Sequence, residues 1–414
     1  MRQEKPFEIS QQEVLGAYKK VKANKGAPGI DGVDFEEYEK DLKNNLYKLW
    51  NRMSSGSYFP QAVRGVSIPK KSGEGERLLG IPTINDRVAQ MVVYQNLAPT
   101  VEPIFYENSY GYRPGKSAVE AVAVTRERCW KYDWLIEFDI KGLFDNIDHE
   151  LLMQVVRKHA EKRWVVLYIE RFLKAPMVLP DGQRVERTAG TPQGGVISAI
   201  LANLFMHYAF DCWMETRLPR NPWVRYADDG VIHCNSKEEA EIILKRLKNR
   251  LSGCKLELHP TKTRIVYCKD DNRRGNHEHT SFDFLGYTFR RRMVRTKKGQ
   301  YFCGFTPAVS KSAEKSLQEK IRRLRRLTQL TIEELAEQVN PIIRGWVNYF
   351  GRFTASEVYK VLFRVNLSLA RWAMKKYKRF RRRLAAALNW LGKVAATRPN
   401  LFAHWEMGMR PTAD

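Results

Sequence analysis

The chain has 414 residues, of which 71 are Lys or Arg and 46 are Asp or Glu, so its formal net charge is +25. A surplus of this size indicates a polyanionic partner and argues against an enzyme of neutral metabolites. The composition excludes a disordered chain, a collagen, a coiled coil and a disulfide-bonded miniprotein, because 11% of the residues are aromatic and the six cysteines are scattered.

The first half of the chain alternates predicted helices and strands. Apolar residues at helical spacing predict helices at 10–23, 35–51, 85–99, 117–130, 148–159 and 162–174. Two strands within 60–84 are joined by a predicted turn at 70–76, and a short apolar strand is expected at 135–140.

The second half begins with a buried helix predicted at 196–210, directly after a Gly-Gly turn. Residues 223–234 predict a hairpin in which Ala-Asp-Asp-Gly joins two strands. The later elements, in chain order, are a helix at 236–252, strands within 255–268 and 282–303, and helices from about 311 to 392 with breaks near Thr328 and Pro341. The first two-thirds of the chain is therefore mixed α and β, and the last third is helical.

The positive charge is concentrated in the helical third. Residues 290–383 contain 25 Lys or Arg and only 6 Asp or Glu, interleaved with aromatic residues. This pattern is typical of a folded surface that grips nucleic-acid phosphates. The alternative is a set of solvated helix faces over an ordinary core.

Three aspartates are candidates for a metal site. Asp139 ends an apolar strand, and Asp228 and Asp229 are adjacent in Tyr-Ala-Asp-Asp. Adjacent carboxylates repel each other unless a cation or a shared proton intervenes, and oxygen ligands suit Mg²⁺. Two such ions support in-line phosphoryl transfer. The alternative is that Asp228-Asp229-Gly230 is only a β-turn, since Asp-Gly is a common hairpin turn.

Two glycine-containing turns are candidates for phosphate binding. Lys70, Lys71 and Arg77 flank the first, which is able to fold over a triphosphate. The second, 190–195, lets the backbone approach a ligand before a helix starts, although it is not a P-loop. A solvated hairpin tip and a plain helix-start turn are the respective alternatives.

The order of these motifs resembles a reverse transcriptase. Asp139 is followed by Thr-Pro-Gln-Gly-Gly, Tyr-Ala-Asp-Asp and Phe-Leu-Gly. More narrowly, the chain is similar to the reverse transcriptase and maturase encoded by group II introns. The blocks that carry this narrower similarity are 24–32, 58–64, 79–83, 110–115, 343–350 and 401–405.

The resemblance implies roles for matched positions in catalysis. Asp139, Asp228 and Asp229 would be the catalytic residues and the ligands of two Mg²⁺ ions, and the backbone carbonyl of Ile140 would add a ligand. No zinc is expected, because the cysteines form no C-x-x-C pair and no Cys/His nuclease module follows Trp405.

The resemblance also implies contacts with the incoming nucleotide. Lys70 and Arg77 would bind its triphosphate, Gln193 would lie against its sugar, and Phe144 would exclude a 2′-hydroxyl. Lys262 would lie near the leaving pyrophosphate as a proton donor. The alternatives are a plain core phenylalanine for Phe144 and a surface lysine for Lys262.

Arg113 would touch the template or primer, with a salt bridge that anchors a turn as the alternative.

Two positions depart from the family pattern: Ala199 replaces a usual proline, and Leu143 stands where an aromatic residue is common. We expect the first to alter helix entry slightly without loss of activity.

The fold class expected from the resemblance is α+β, a right-hand polymerase with an antiparallel palm sheet followed by a helical thumb. The expected domains are an N-terminal extension of the fingers at 1–60, fingers and palm at 61–300, a helical thumb or maturase domain at 301–380, and a short basic DNA-binding segment without endonuclease at 381–414.

The expected function is RNA-directed DNA synthesis on intron RNA during retrohoming, together with maturase binding that promotes splicing. Expected partners are group II intron RNA, target DNA, an RNA/DNA duplex and dNTPs, with no membrane and no prediction of oligomeric state. The protein is expected in the bacterial cytoplasm, in association with the nucleoid. The alternatives are a domesticated enzyme of repair or defence and a catalytically silent splicing factor.

Overall fold

The computed structural model describes residues 5–69, 75–295 and 298–411. The chain forms two compact units. The first comprises Met1–Ala121 and Trp134–Ile265, and the second comprises Val122–Asp133 and Val266–Asp414.

The first unit contains most of the mixed α and β elements. Its helices, with α5 shared between the units, are α1 Gln11–Ala23, α2 Phe35–Lys40, α3 Leu42–Ser54, α4 Ile84–Val101, α5 Ala118–Cys129, α6 Leu143–Asn146, α7 His149–His159, α8 Arg163–Lys174, α9 Ser198–Met206, α10 Cys212–Arg217 and α11 Lys237–Gly253. Its strands are β1 Val63–Pro69, β2 Glu76–Ile81, β3 Trp134–Asp139, β4 Met177–Val178, β5 Arg184–Val185, β6 Trp223–Tyr226 and β7 Asp229–Cys234. The strand β8, Arg264–Tyr267, carries the chain into the second unit.

Two sheets organise the first unit. One has the order β2-β1-β4-β5, with β1 and β2 antiparallel. The other has the order β6-β7-β3-β8, and both β6 and β3 pair with β7 in antiparallel fashion. In the second of these sheets β3, β6 and β7 are buried along nearly their whole length, and α11 contacts β3 and β7. The helix α4 is also buried along most of its length.

The second unit joins a sheet to a helical bundle. Its sheet has the order β11-β10-β9, formed by β9 Ser281–Phe284, β10 Tyr287–Arg295 and β11 Tyr301–Val309. Its helices are α12 Lys311–Leu324, α13 Ile332–Phe350, α14 Ala355–Lys376, α15 Leu384–Thr397 and α16 Ala403–Glu406. Trp372, Phe402 and Trp405 are fully buried in its core.

Three predicted elements differ from those observed. The helix expected at 35–51 is split at Asp41, which serves as the C-cap of α2 and has the φ and ψ of neither helix. The helix expected at 196–210 continues through one turn of π-helix, His207–Asp211, into α10. The break expected near Pro341 is wrong, because α13 runs through it. Pro341 and Glu337 are exposed, so water is able to solvate the carbonyl that the proline leaves without a donor.

The break near Thr328 is confirmed, since α12 ends at Leu324 and α13 begins at Ile332. Among the helices of the described residues, none combines the length and the apolar character required to cross a bilayer.

Candidate active site

The register of β3 and β7 brings the predicted aspartates together. Asp139, the last residue of β3, is the cross-strand partner of Asp229, the first residue of β7. Just beyond the strands, the Ile140 amide donates to the Asp228 carbonyl oxygen over 3.0 Å. The buried apolar residues of β3 hold this strand in the centre of the sheet. The three aspartates therefore lie at the same end of these two central strands.

The hairpin turn between β6 and β7 is shorter than the predicted Ala-Asp-Asp-Gly connection. Ala227 and Asp228 form the turn, while Asp229 and Gly230 belong to β7. Ala227 has a φ of +57°, a left-handed conformation that costs a non-glycine residue roughly 1 kcal/mol. Gly111 packs so closely that an added Cβ would lie 2.5 Å from the Ala227 nitrogen. The turn is thus held by its surroundings, and it is not an Asp-Gly turn.

A fully buried ion pair supports this turn. Arg225 of β6 donates to both carboxylate oxygens of Asp211, over 2.7 and 2.6 Å. Its remaining donors reach Asn203 Oδ1 at 3.1 Å, the Ala227 carbonyl at 3.2 Å and Ser109 Oγ at 2.8 Å. Arg225 was not among the residues predicted from the sequence, although a lone arginine in an apolar strand was a usable signal.

Burial and mutual repulsion dominate the electrostatics of the aspartates. Burial raises the pKa of Asp228, and the nearby charge of Asp139 adds to this effect. Burial also raises the pKa of Asp229 to about 8, with further contributions from Asp228 and Asp139. The Lys262 Nζ lies 2.8 Å from Asp139 Oδ2. Burial alone would lower the pKa of Lys262, but this hydrogen bond and the aspartate charges raise it.

A cavity of about 1120 Å³ opens beside the aspartates. The predicted residues Arg77, Phe144, Gln193 and Lys262 line it together with Asp139, Ile140 and Asp228. Arg77 Nε donates to Gln193 Oε1, so the cation and the amide predicted to contact a nucleotide are joined across the cavity. Lys70 lies outside the described residues.

The cavity also contains polar residues that the sequence analysis missed. Asp145 accepts a hydrogen bond of 3.4 Å from Gln193 Nε2. Arg187 lines the cavity and donates to the Gly190 carbonyl over 2.8 Å, and burial lowers its pKa to about 10. Asp145 directly follows the predicted residue Phe144, and this adjacency was a usable signal, whereas only the fold brings Arg187 to the site.

Phe144 and Arg113 differ in their availability to a ligand. Phe144 is 7% exposed, lines the cavity and makes an edge-to-face contact with Tyr112 at a centroid distance of 6.2 Å. Arg113 is engaged internally, with Glu102 Oε2 at 3.1 Å and the carbonyls of Tyr106 and Ser109 at 2.8 and 3.0 Å. These contacts match the turn-anchoring alternative, and a template contact by Arg113 stays a prediction.

The aspartates suit a divalent cation by donor type. Their carboxylate oxygens are the ligands that Mg²⁺ prefers, and an ammonium already stands against Asp139. Within residues 5–69, 75–295 and 298–411, however, no group of three or more His, Cys, Asp or Glu side chains is gathered closely enough to hold an ion. The carboxylate oxygens are therefore of the type that binds Mg²⁺, but in this structure Asp139 forms an ion pair with Lys262.

Two family models match this chain. Residues 68–289 match the model of the reverse transcriptase (RNA-dependent DNA polymerase) family, and residues 314–388 match the group II intron, maturase-specific domain. The first match covers more than half of the chain, so the protein belongs to the reverse transcriptase family, whose members generally use divalent metal ions.

The chain is also similar to individual proteins, two of which are named for introns. The chain is 29% identical over 347 residues to the group II intron-encoded protein LtrA of Lactococcus lactis subsp. cremoris, covering 68% of this chain and 55% of that protein. It is 29% identical over 327 residues to protein YkfC of Escherichia coli (strain K12), covering 69% and 83%. A 93-residue segment is 30% identical to nuclear intron maturase 1, mitochondrial, of Arabidopsis thaliana, covering 22% and 13%. The chain thus spans about half the length of LtrA.

Proposed function

We propose that the protein is an RNA-directed DNA polymerase that copies intron RNA during retrohoming and binds the same RNA as a maturase to promote splicing. The observation that carries the proposal is the placement of Asp139, Asp228 and Asp229 at one end of β3 and β7, beside a cavity lined by Arg77 and Lys262. The family match and the names of the relatives support it.

In this proposal Asp139, Asp228, Asp229 and the Ile140 carbonyl hold two Mg²⁺ ions. When bound, these ions supply the activation of the 3′-hydroxyl and the charge neutralisation that in-line phosphoryl transfer requires. Lys262 leaves Asp139 for the pyrophosphate side and donates a proton there. The Arg225 network keeps the turn fixed, so that the carboxylates do not have to be ordered when substrate binds.

The cavity selects the nucleotide. Arg77 binds the negatively charged triphosphate. Lys70, whose structure is not described, is proposed to bind it as well. Gln193 lies against the sugar, where its contact with Arg77 positions the amide. The ring of Phe144, fixed by its packing on Tyr112, leaves no room for a 2′-hydroxyl. Replacement of Phe144 by valine is expected to raise ribonucleotide incorporation relative to deoxynucleotide incorporation.

In this proposal the second unit binds the intron RNA. Its basic helices carry the maturase-domain match, and their positive charge suits the phosphates of a structured RNA. The proposed architecture is a right hand. Residues 1–60 extend the fingers, 61–300 form the fingers and palm, 301–380 form the thumb or maturase domain, and 381–414 form a short basic DNA-binding segment. The proposed further partners are target DNA, an RNA/DNA duplex and dNTPs. The proposed location is the bacterial cytoplasm, in association with the nucleoid.

Primer extension on an RNA template with dNTPs and Mg²⁺ tests the polymerase proposal. The wild type is expected to extend the primer, and Asp228→Asn is expected to abolish extension because a neutral amide is a poor metal ligand. Asp181→Asn, which changes an exposed carboxylate in a turn, serves as the matched control and is expected to extend normally. A wild type that binds structured RNA but does not extend would instead indicate a catalytically silent splicing factor.

Splicing is tested separately with Asp139→Ala. If the chain is a maturase, this variant still promotes intron splicing while polymerisation stops, because splicing needs the RNA-binding surface and not the carboxylates. Loss of both activities with an intact fold would contradict the division of roles.

A further inference from the structure

A basic pocket lies on the first unit outside the active-site cavity. Its volume is about 590 Å³, and it shares no lining residue with the cavity beside the aspartates. We call it the α10–α11 pocket, and its lining residues include Tyr208, Trp213, Arg217, Arg246 and Arg250.

Several cations converge on this pocket. Arg217, Arg246 and Arg250 line it, and Lys158 Nζ lies 4.8 Å from the centre of the Tyr208 ring. In the part of the chain that the structure describes, no carboxylate lines the pocket, and neither Arg217 nor Arg246 has an ion-pair partner. Converging like charges repel each other, so a bound anion would be stabilised there.

One of these cations is held rigidly by an unusual backbone feature. The π-helical turn His207–Asp211 changes the helical hydrogen-bond pattern beside the pocket. Arg250 Nε donates to the Ala209 carbonyl over 2.9 Å, and Arg250 Nη2 donates to the Tyr208 carbonyl over 2.7 Å. The guanidinium of Arg250 is therefore positioned before any ligand arrives, which lowers the entropic cost of binding.

Stabilisation of the helices does not by itself explain where these arginines lie. Cations near the carboxyl ends of α10 and α11 do interact favourably with the helix dipoles. The dipoles do not account for arginines from two helices that line one shallow pocket together with two aromatic residues, Tyr208 and Trp213. Aromatic side chains of this kind stack on nucleobases, and arginines bind the phosphates between them.

We infer that the α10–α11 pocket binds a single-stranded RNA segment, with Arg217, Arg246 and Arg250 on the phosphates and Tyr208 or Trp213 against a base. The pocket is a shallow, open depression, and its volume of about 590 Å³ suits one or two nucleotides. This inference rests on the proposed function only in that RNA is the partner. It requires no polymerase activity.

The test uses the full chain and a single-stranded octanucleotide RNA that contains 4-thiouridine. Photocrosslinking followed by mass spectrometry is expected to mark residues 208–217 in the wild type. Arg217→Ala/Arg246→Ala is expected to lose this crosslink and to reduce the salt dependence of oligonucleotide binding. The slope of log affinity against log salt should fall by about 1.4, since each single-strand phosphate contact contributes about 0.7.

The control removes two charges elsewhere on the same unit. Lys48→Ala/Arg52→Ala changes two exposed basic residues of α3 and is expected to retain the crosslink at 208–217. Equal melting temperatures of the two double variants establish that both are folded. Crosslinks that map only outside the pocket, or equal losses in the two double variants, would overturn the inference.

Two further outcomes separate this inference from related proposals. An octaglutamate peptide that displaces the RNA from 208–217 as well as unlabelled RNA does would overturn it in favour of a general anion site. Primer extension on the same samples reports on the polymerase proposal alone. A chain that crosslinks at the pocket but does not extend a primer supports the pocket while contradicting the proposed polymerase, and the reverse result does the opposite.

Discussion

The buried pair of Arg225 and Asp211 is the residue-scale feature on which the aspartate turn depends. Both side chains are fully buried, and burial raises the pKa of Asp211 against the opposing effect of Arg225. Because Arg225 also donates to the Ala227 carbonyl, the pair connects the interior of the first unit to the turn that carries Asp228. Such a pair contributes specificity of position more than net stability.

Replacement of Arg225 by methionine is expected to destabilise the protein by about 3–5 kcal/mol, because Asp211 is left buried without its partner. The free energy of unfolding in urea measures this change. Arg225→Met/Asp211→Leu removes both charges and is expected to regain a large part of the loss. Arg220→Met, at an exposed arginine, serves as the control and is expected to differ little from the wild type. A small effect of Arg225→Met would contradict the role assigned to the pair.

His404 gives the second unit a pH-dependent stability. Its Nε2 donates to Asn366 Oδ1 over 2.7 Å, and Asn366 also accepts from Trp405 Nε1 over 2.8 Å. Among the described residues, His404 Nδ1 is buried without a hydrogen-bond partner. Burial lowers the pKa of His404 to about 3, so the folded protein keeps the ring neutral.

The unfolded chain protonates this histidine below pH of about 6.5, so the stability associated with the neutral ring is complete above that pH and declines as the pH falls toward 3. We expect His404 to account for a loss of about 2 kcal/mol between pH 7 and pH 5. Urea unfolding at both pH values, followed by far-UV circular dichroism, measures the loss. His404→Gln is expected to be less stable at pH 7 but to lose less on acidification. An unchanged pH dependence in this variant would contradict the assignment.

The β6–β7 hairpin is the element on which the candidate active site depends most. Its turn is formed by a left-handed alanine, held by Arg225 on one side and by the close approach of Gly111 on the other. The local sequence favours a turn at Asp-Gly, which would move Asp229 out of the strand. The observed turn therefore results from packing against neighbouring segments.

Gly111→Ala is expected to displace this turn, because the new Cβ would lie 2.5 Å from the Ala227 nitrogen and 3.0 Å from the Tyr226 carbonyl carbon. A displacement of about 1 Å at reacting groups lowers rates by about a hundredfold, so primer extension should fall by a similar factor. Gly16→Ala in α1, where an added Cβ meets nothing within 4 Å, is the matched control. Normal extension by Gly111→Ala would indicate that the turn adapts without loss.

At the scale of the whole molecule, the charge distribution governs the proposed interaction with RNA. The net charge of +25 arises largely between 290 and 383, in the β-hairpin and helices of the second unit. Arginine side chains at the end of α12, including Arg322 and Arg323, are exposed. Such residues bind phosphates without sequence preference and make affinity strongly dependent on salt.

Binding of a structured RNA is expected to weaken by orders of magnitude between 50 and 200 mM salt, as it does for proteins with about six to ten phosphate contacts. Arg322→Gln/Arg323→Gln is expected to make the slope of log affinity against log salt shallower by up to about 1.8, because each neutralised duplex phosphate contributes about 0.9 to that slope. Filter binding over this salt range provides the measurement. Lys19→Gln/Lys43→Gln, which removes two exposed charges from α1 and α3, is the control. Equal slopes for the two double variants would show that the α12 arginines do not contact RNA.

The local sequence determined the class of the protein and most of its elements. Apolar periodicity located the helices and strands of the first unit, because burial of one face imposes that pattern. The spacing of Asp139, Asp228 and Asp229 indicated the candidate site, since carboxylates at strand ends need a cation. The surplus of Lys and Arg indicated an anionic partner, because charge acts irrespective of fold.

The tertiary structure decided the features that depend on distant segments. The turn at Ala227, the continuous helix through Pro341 and the engagement of Arg113 in internal bonds each result from neighbours that the local sequence does not specify. Arg225, Asp211 and the arginines of the α10–α11 pocket gain their roles in the same way. Local patterns report the preference of a segment for a conformation, whereas the position of a polar group is set by the partners that satisfy it when it is buried.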